Sequence, residues 1–247
     1  MQESELRIAD LPTLRVTHEE PRCMVVVLHG FAMRPFDLVP FAHSLGVPAA
    51  FLFPEGPEHG ALSEQAPPAR AWWKIDPAAR SASLARGPRD FRDEHPAGLP
   101  QARACLLRFL QAAREAAPGY AELPLVLCGF SQGGMLACDT FLRHSLDLAG
   151  LALLSSSRIA YDEWEPFLKE RRATSRAFPP LFISHGRADD DLAFSAGEAL
   201  RDCLSEAGAQ PIFLEFQEGH AIPVVVWRGF RKFLLNIVQR TESTESA

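Results

Sequence analysis

Residues 125–137 read Leu-Val-Leu-Cys-Gly-Phe-Ser-Gln-Gly-Gly-Met-Leu-Ala. The apolar run Leu125–Cys128 reads as a buried strand, and a helix-like pattern begins directly after Gly129-Phe130-Ser131-Gln132-Gly133. This is G-x-S-x-G between a strand and a helix, the spacing of a nucleophile elbow. The spacing has a steric origin. A strand that turns straight into a helix crowds the residues two before and two after the apex, and glycine relieves both clashes because it has no Cβ. Ser131 is then expected on a strained corner with its Oγ lifted out of the sheet. The helix that follows aims its N-terminal N–H groups and positive dipole end at the same spot, where an anion would be stabilised. The plainer reading, a glycine-rich turn around an ordinary serine, is weakened by the flanking strand and helix and by two partners found downstream.

Working outward, apolar runs alternate with helical spacings. Leu11–His18 and Cys23–Leu28 are expected strands, the second running into His29-Gly30-Phe31-Ala32. Asp37–Leu45 has helical spacing and ends at Gly46, and Ala49–Phe53 is a further strand. Pro100–Ala117 places Ala102, Cys105, Leu106, Phe109, Leu110 and Ala113 on one helical face. After the elbow helix come strands at Gly150–Leu154, Pro180–Ser184 and Pro211–Phe216, with helices at Ser195–Gly208 and Pro223–Val238. Tyr161–Ala177 is charged, carries Trp164, Phe167 and Leu168 at helical spacing, and is a candidate for a second surface excursion. Strands alternating with helices predict an α/β fold, a mainly parallel central sheet with helices on both faces. Right-handed crossovers then bring the C-terminal ends of the strands to one edge, where ligands bind.

Residues 56–98 break the pattern. They are rich in Pro, Ala and Arg, have little periodicity, and carry Trp72, Trp73 and Phe91. A stretch this long inside a compact domain is usually functional or disordered, and the aromatics argue against disorder. It is expected to cover something. Trp72 and Trp73 are candidates for a substrate-binding wall or, equally, anchors for the excursion itself; as neighbours in an extended segment they would face opposite ways. Arg70 and Lys74 flank them and are available to an anionic substrate group. The expected organisation is one domain over 1–240, with this loop or cap at 56–98 and a flexible tail at 241–247.

The chain has 247 residues, 47% of them hydrophobic, ample for a core, and a formal charge of −6 that argues against a nucleic-acid partner. No apolar run is long enough to span a bilayer, so no stable membrane insertion is expected. The start Met-Gln-Glu-Ser-Glu-Leu-Arg lacks the basic and apolar regions of a signal peptide. The five scattered cysteines follow neither a disulfide framework nor a zinc spacing. A cytoplasmic location with free thiols is therefore expected. The sequence leaves the oligomeric state, a homodimer included, open.

A serine hydroxyl needs a base within reach, and the base needs an orienting carboxylate. In this architecture the order is Ser, then acid, then His. Three histidines follow Ser131: His144, His185 and His220. His144 falls at the far end of the elbow helix, and His185 precedes any suitable acid. His220, after the last expected strand, has the right order and lies at the right edge. The acid is expected in Ser184-His185-Gly186-Arg187-Ala188-Asp189-Asp190-Asp191. Spacing does not decide among the aspartates. Asp189 is preferred because the glycine turn brings it back toward the edge, and Asp191 is the reserve.

Gly-Phe-Ser-Gln-Gly-Gly, His-Gly-x-x-Asp and Gly-His-Ala-Ile, in this order, resemble the phospholipase/carboxylesterase family of α/β-hydrolases, which includes acyl-protein thioesterases and small bacterial carboxylesterases. Leu-His-Gly and Arg-Ala-Trp-Trp also sit where that family has Leu-His-Gly and Arg-Ala-Trp-Phe. The resemblance spans roughly residues 12–240. It implies an α/β-hydrolase fold with Ser131 as nucleophile, Asp189 as acid and His220 as base. The elbow itself supplies one oxyanion donor, the N–H of Gln132. The resemblance places the other on Phe31. Here the chain departs from the family pattern, reading Phe-Ala-Met-Arg-Pro, so Ala32 stands beside Phe31 as the second donor; His29 is read as structural. The implied activity is hydrolysis of small-molecule esters or thioesters without metal or organic cofactor. Carboxylesterase is the first reading and acyl-protein thioesterase or lysophospholipase the alternative. A hydrolase-fold binding protein that has lost catalysis is the reading from a different class.

Overall fold

Two strands buried on every residue lie side by side at the centre, β3 (Cys23–Leu28) and β7 (Leu125–Phe130). They pair in parallel, with Met24 opposite Leu125. In this computed structural model, which describes residues 1–62 and 69–245 with side chains to residue 240, they belong to an eight-stranded sheet. In chain order the other elements are β1 (Gln2–Ile8), β2 (Leu11–Thr17), α1 (Val39–Leu45), β4 (Ala49–Pro54), β5 (Glu58–Gly60), β6 (Ala69–Ala71) and α2 (Pro77–Leu84). Then follow α3 (Leu99–Ala113), β7, α4 (Gln132–Arg143), β8 (Gly150–Leu154), α5 (Tyr161–Thr174), β9 (Leu181–Gly186), α6 (Phe194–Glu206), β10 (Pro211–Phe216) and α7 (Val224–Glu245). The sheet order is β1-β2-β4-β3-β7-β8-β9-β10. The strands from β4 to β10 pair in parallel, and β1 and β2 form an antiparallel margin. β5 and β6 make a separate ribbon.

The alternation of side chains along a strand divides the core in two. Met24, Val26 and Leu28 of β3 pack with α3, α4, α5 and α6 on one face. Cys23, Val25 and Val27 pack with α1 and α7 on the other. A central strand covered on both sides needs apolar residues at every position, which is why these strands appear in the sequence as continuous runs.

The structure departs from the sequence reading in four places. β1 was not expected. As an outer strand it needs few apolar residues, and it buries only Ile8 fully, so its polar start gives no signal. The stretch 56–98 carries the β5–β6 ribbon and α2; α2 buries no residue, which explains the missing periodicity, and Asp76 caps it by accepting from the N–H groups of Ala78 and Ala79 at 2.7 and 2.9 Å. Residues 63–68 of this stretch lie outside the described residues. Tyr161–Ala177 is not an excursion: α5 packs into the main core, with Trp164 wholly buried. Its indole N–H donates to Asp139 on α4 at 2.9 Å, and the same carboxylate accepts from Arg103 of α3 and Arg143. One buried acid thus ties three helices together. α7 is helical through Glu245, so the tail expected at 241–247 overlaps its last turn and two residues outside the described set. Among the described residues no helix is long and apolar enough to cross a membrane.

Candidate active site

Ser131 sits at the C-terminal end of β7 with φ 53° and ψ −117°, a backbone conformation that L residues rarely adopt. Contacts around it account for both elbow glycines. A Cβ on Gly129 would lie 2.2 Å from the carbonyl oxygen of Gly133, and one on Gly133 would lie 2.4 Å from that of Leu28 on the adjacent β3. The turn folds onto itself and onto the neighbouring strand more closely than any side chain permits. The Ser131 N–H donates to Leu154 O at 2.9 Å, fastening the corner to β8.

His220 lies in the loop after β10, and its Nε2 is 2.9 Å from Ser131 Oγ. Its Nδ1 is 2.8 Å from Oδ2 of Asp189, in the loop after β9. The other oxygen of Asp189 accepts from the N–H groups of Asp191 and Leu192 at 2.9 and 2.8 Å. Two amides therefore fix the carboxylate, which is nearly fully buried, and aim one oxygen at the imidazole. Nδ1 donates to that oxygen, leaving the Nε2 lone pair for the serine proton. Asp191 is turned elsewhere, its two oxygens each paired with an arginine, Arg80 and Arg89. The acid and histidine loops can meet because residue 186 is glycine: a Cβ there would lie 2.3 Å from Glu218 O. His185 lies behind the acid, with Nε2 at 3.1 Å from Leu192 O and 3.4 Å from Asp189 Oδ2; burial holds it below the usual histidine range.

Gln132 begins α4, so its N–H has no acceptor within the helix and opens beside Ser131. Phe31 and Ala32, in the loop after β3, line the same cavity; Ala32 has φ 57°, which turns that loop sharply. The side chain of Gln132 does something the sequence reading missed. Its carbonyl oxygen accepts from Trp72 N–H and its amide donates to Trp73 O, both at 2.9 Å. A buried glutamine next to the serine thus holds the excursion in place. The available signal was a polar side chain at a position that the helix must bury.

Trp72 and Trp73 part ways. Trp73 lines the cavity. Trp72, a candidate for either the substrate wall or an anchor of the excursion, takes the anchor's place: it is stacked on the His29 ring, and its indole N–H donates to His29 O at 2.9 Å. His29 is fully buried. It donates from Nδ1 to Gly30 O at 2.7 Å and accepts at Nε2 from Gly56 N–H at 2.9 Å, and burial lowers its pKa to about 4. Arg70 is occupied by Gly56 O, Pro57 O and Glu55, and Lys74 lies 3.6 Å from Glu58. The cavity beside Ser131 has a volume of about 360 Å³. Of its lining residues, Met33, Leu38, Phe41 and Ile222 belong to the core on the α1 and α7 face of the sheet, and Trp73, Ile75 and Phe91 to the core on the other face; Arg80 and Arg89 also line it.

Residues 13–237 match the family described as Phospholipase/Carboxylesterase. The chain belongs to that family. Carboxylesterase SOBER1 of Arabidopsis thaliana is 33% identical over 116 residues, 44% of this chain and 46% of that protein. Acyl-protein thioesterase 1 of Emericella nidulans is 22% identical across 87% of this chain and 90% of its own length. The matches to a protein of Oryza sativa named probable carboxylesterase and to acyl-protein thioesterase 1 of Neurospora crassa reach only 49% and 61% of those proteins. Among solved structures, esterase PE8 superimposes with a TM-score of 0.70 at 22% identity, covering 96% of this chain and all of that one. Acyl-protein thioesterase 2 of Zea mays superimposes with a TM-score of 0.71 at 18% identity, covering 92% and 98%. At these identities the structural likeness establishes the α/β-hydrolase fold.

Proposed function

We propose that this member of the phospholipase/carboxylesterase family hydrolyses carboxylic esters of small to medium acyl chains through an acyl-enzyme on Ser131. The observation that carries the reading is the continuous hydrogen-bonded line from Ser131 Oγ through both nitrogens of His220 to Asp189, at 2.9 and 2.8 Å. In the proposed reaction His220 takes the Ser131 proton as the hydroxyl attacks the ester carbonyl. Asp189 keeps the imidazole in the Nδ1–H tautomer and stabilises its charged form. The alkoxide of the tetrahedral intermediate rests on the N–H of Gln132 and on that of Phe31 or Ala32, each such donor being worth about 10²–10³ in kcat. His220 then hands its proton to the leaving alcohol, and water repeats the cycle on the acyl-enzyme.

Thioesters are the second reading, favoured by the relatives named acyl-protein thioesterase; the same residues serve both bonds. Five buried free thiols suit a reducing compartment, and the cytoplasm is the location we infer. The test is direct. A fluorophosphonate probe is expected to label Ser131, and Ser131→Ala should lower hydrolysis of a p-nitrophenyl ester by at least about 10⁴-fold while leaving the circular dichroism spectrum unchanged. Near-wild-type turnover in that variant would show that hydrolysis does not run through Ser131, and a wild type with neither labelling nor turnover would return the protein to the class of non-catalytic hydrolase folds.

A further inference from the structure

Arg80 of α2 and Arg89 of the loop after it stand in the cavity wall on the side of the acid loop. Both side chains are mostly buried, 17% and 12% exposed. They grip opposite oxygens of a single carboxylate, Asp191. The backbone fixes the arrangement: Arg89 N–H donates to Asp191 O and Ala193 N–H to Arg89 O, both at 2.9 Å. The cluster is joined to the triad, since the Asp191 N–H donates to Asp189 Oδ1 at 2.9 Å.

The charges in this wall do not match. Two guanidinium groups face one carboxylate, where one arginine would suffice to fasten the excursion. Of the other acids nearby, Asp189 is turned to His220, Asp90 is paired with Arg158, Asp190 and Glu94 are exposed to solvent, and Asp37 is exposed and accepts from Arg34 N–H. Burial and the neighbouring Arg80 charge push the Arg89 guanidinium down to about 10. The Arg89 Nε is also buried with no acceptor among the described residues. A guanidinium offers five N–H donors in a planar fork, and one from each arginine meets Asp191. Each fork carries N–H groups beyond the one on Asp191, and both arginines line the cavity that holds the serine as well as a neighbouring cavity bounded by α2 and the loop after it.

We propose that Arg80 and Arg89 form a carboxylate-binding subsite, so that preferred substrates are esters bearing a free carboxylate away from the scissile carbonyl. Met33, Leu38, Phe41 and Ile222 take the uncharged part of the molecule. The carboxylate belongs either to the acyl half, as in a monoester of a dicarboxylic acid, or to the alcohol half, as in an acylated hydroxy acid. This inference deepens the acyl-transfer reading and rests on it.

The test compares kcat/KM within two pairs of substrates. Monoethyl glutarate is set against the ethyl ester of its monoamide, and 4-acetoxybutanoate against 4-acetoxybutanamide. In one pair the wild-type enzyme should favour the carboxylate about tenfold or more, as expected for a charge-assisted hydrogen bond. Raising ionic strength from about 0.02 to 0.5 M should erode that preference. Arg80→Gln and Arg89→Gln should each bring the ratio toward one, and Arg89→Lys should keep an intermediate value. A ratio near one in both pairs of the wild type, or a preference that survives both glutamine variants, overturns the subsite. If Arg89→Gln does not fold, Arg80→Gln and the wild-type salt series decide. Failure of the deeper reading is visible separately: no turnover of any of the four esters together with no probe labelling of Ser131 sinks acyl transfer itself, whereas turnover of the neutral esters without discrimination sinks only the subsite.

Discussion

Asp189 and Asp191 are two residues apart in one acidic run, and their surroundings assign them opposite tasks. Asp189 has one oxygen held by two amides and the other on His220. Asparagine at 189 would keep the shape but can present its amide N–H to the imidazole, which selects the wrong tautomer. Asp189→Asn is therefore predicted to lower kcat by about 10⁴-fold with little change in melting temperature. Asp191→Asn removes the partner of two buried guanidinium groups instead. Its expected signature is a loss of stability of about 3 kcal/mol, read by urea denaturation, with a far smaller fall in kcat. Equal falls in kcat for the two variants would contradict this division. Gln132 separates the same way into backbone and side chain. Gln132→Ala keeps the N–H beside Ser131 but strips the two bonds to Trp72 and Trp73. It should destabilise by roughly 1–3 kcal/mol and speed amide exchange at Trp72, because a buried N–H and a buried carbonyl lose their partners. Ser131 and His220 were legible in the sequence because motif and chain order constrain them. The choice of Asp189 and the side-chain task of Gln132 depend on where side chains point in three dimensions, which spacing does not encode.

At the scale of elements, the elbow is the place where a single methyl group matters most. Gly133→Ala would press a Cβ to within 2.4 Å of Leu28 O, a backbone atom of the central strand that cannot step aside. Gly46, which ends α1 with φ 55°, has open space around its Cβ position. Gly46→Ala should lose only about 1 kcal/mol, the cost of a left-handed alanine. Gly133→Ala should lose several times more, or leave the chain insoluble. Guanidinium unfolding of the two variants side by side checks the ordering, and comparable midpoints would refute the packing argument. The same contrast explains what could be read in advance. β3, β4, β7, β8 and β9 announce themselves because they are buried at every position, so both faces must be apolar. β1 and α2 touch the core through few residues and left no pattern to find. The helical spacing of Trp164, Phe167 and Leu168 in α5 is legible, but its docking in the core is not, because the surrounding residues are charged and the anchoring partner of Trp164, Asp139, lies on another helix.

On the scale of the whole molecule, His29 connects parts that are far apart in sequence. It directly follows the central strand β3, accepts from Gly56 after β4, and supports Trp72 at the base of the excursion. Both ring nitrogens are committed in one protonation state: Nδ1 must carry the proton that meets Gly30 O, and Nε2 must be bare to accept from Gly56. A second proton would set two N–H groups against each other in a fully buried site. Burial of the ring lowers its pKa from 6.5 to about 4, and the opposed N–H groups disfavour the charged form in the same direction. The unfolded chain, by contrast, protonates this histidine near its ordinary value. Between pH 6.5 and 4 the unfolded state binds more protons, so stability falls as the solution is acidified and is fully present above pH 6.5. The upper bound on the loss is about 3 kcal/mol, and the limiting slope for one such group is about 1.4 kcal/mol per pH unit. His185 and His144, also held below their ordinary values chiefly by burial, add to the same trend. His29→Gln should be less stable at pH 7, having lost its ring packing and its paired hydrogen bonds. Its stability should nevertheless decline less steeply with acid, because one of the three contributing groups is gone. Urea denaturation at pH 7, 6, 5 and 4.5 measures both slopes. If the variant loses stability with acid as steeply as the wild type, the acid sensitivity lies elsewhere. If its slope is shallower by about one proton's worth, the joint between central strand and excursion is the first part of the molecule that acid weakens.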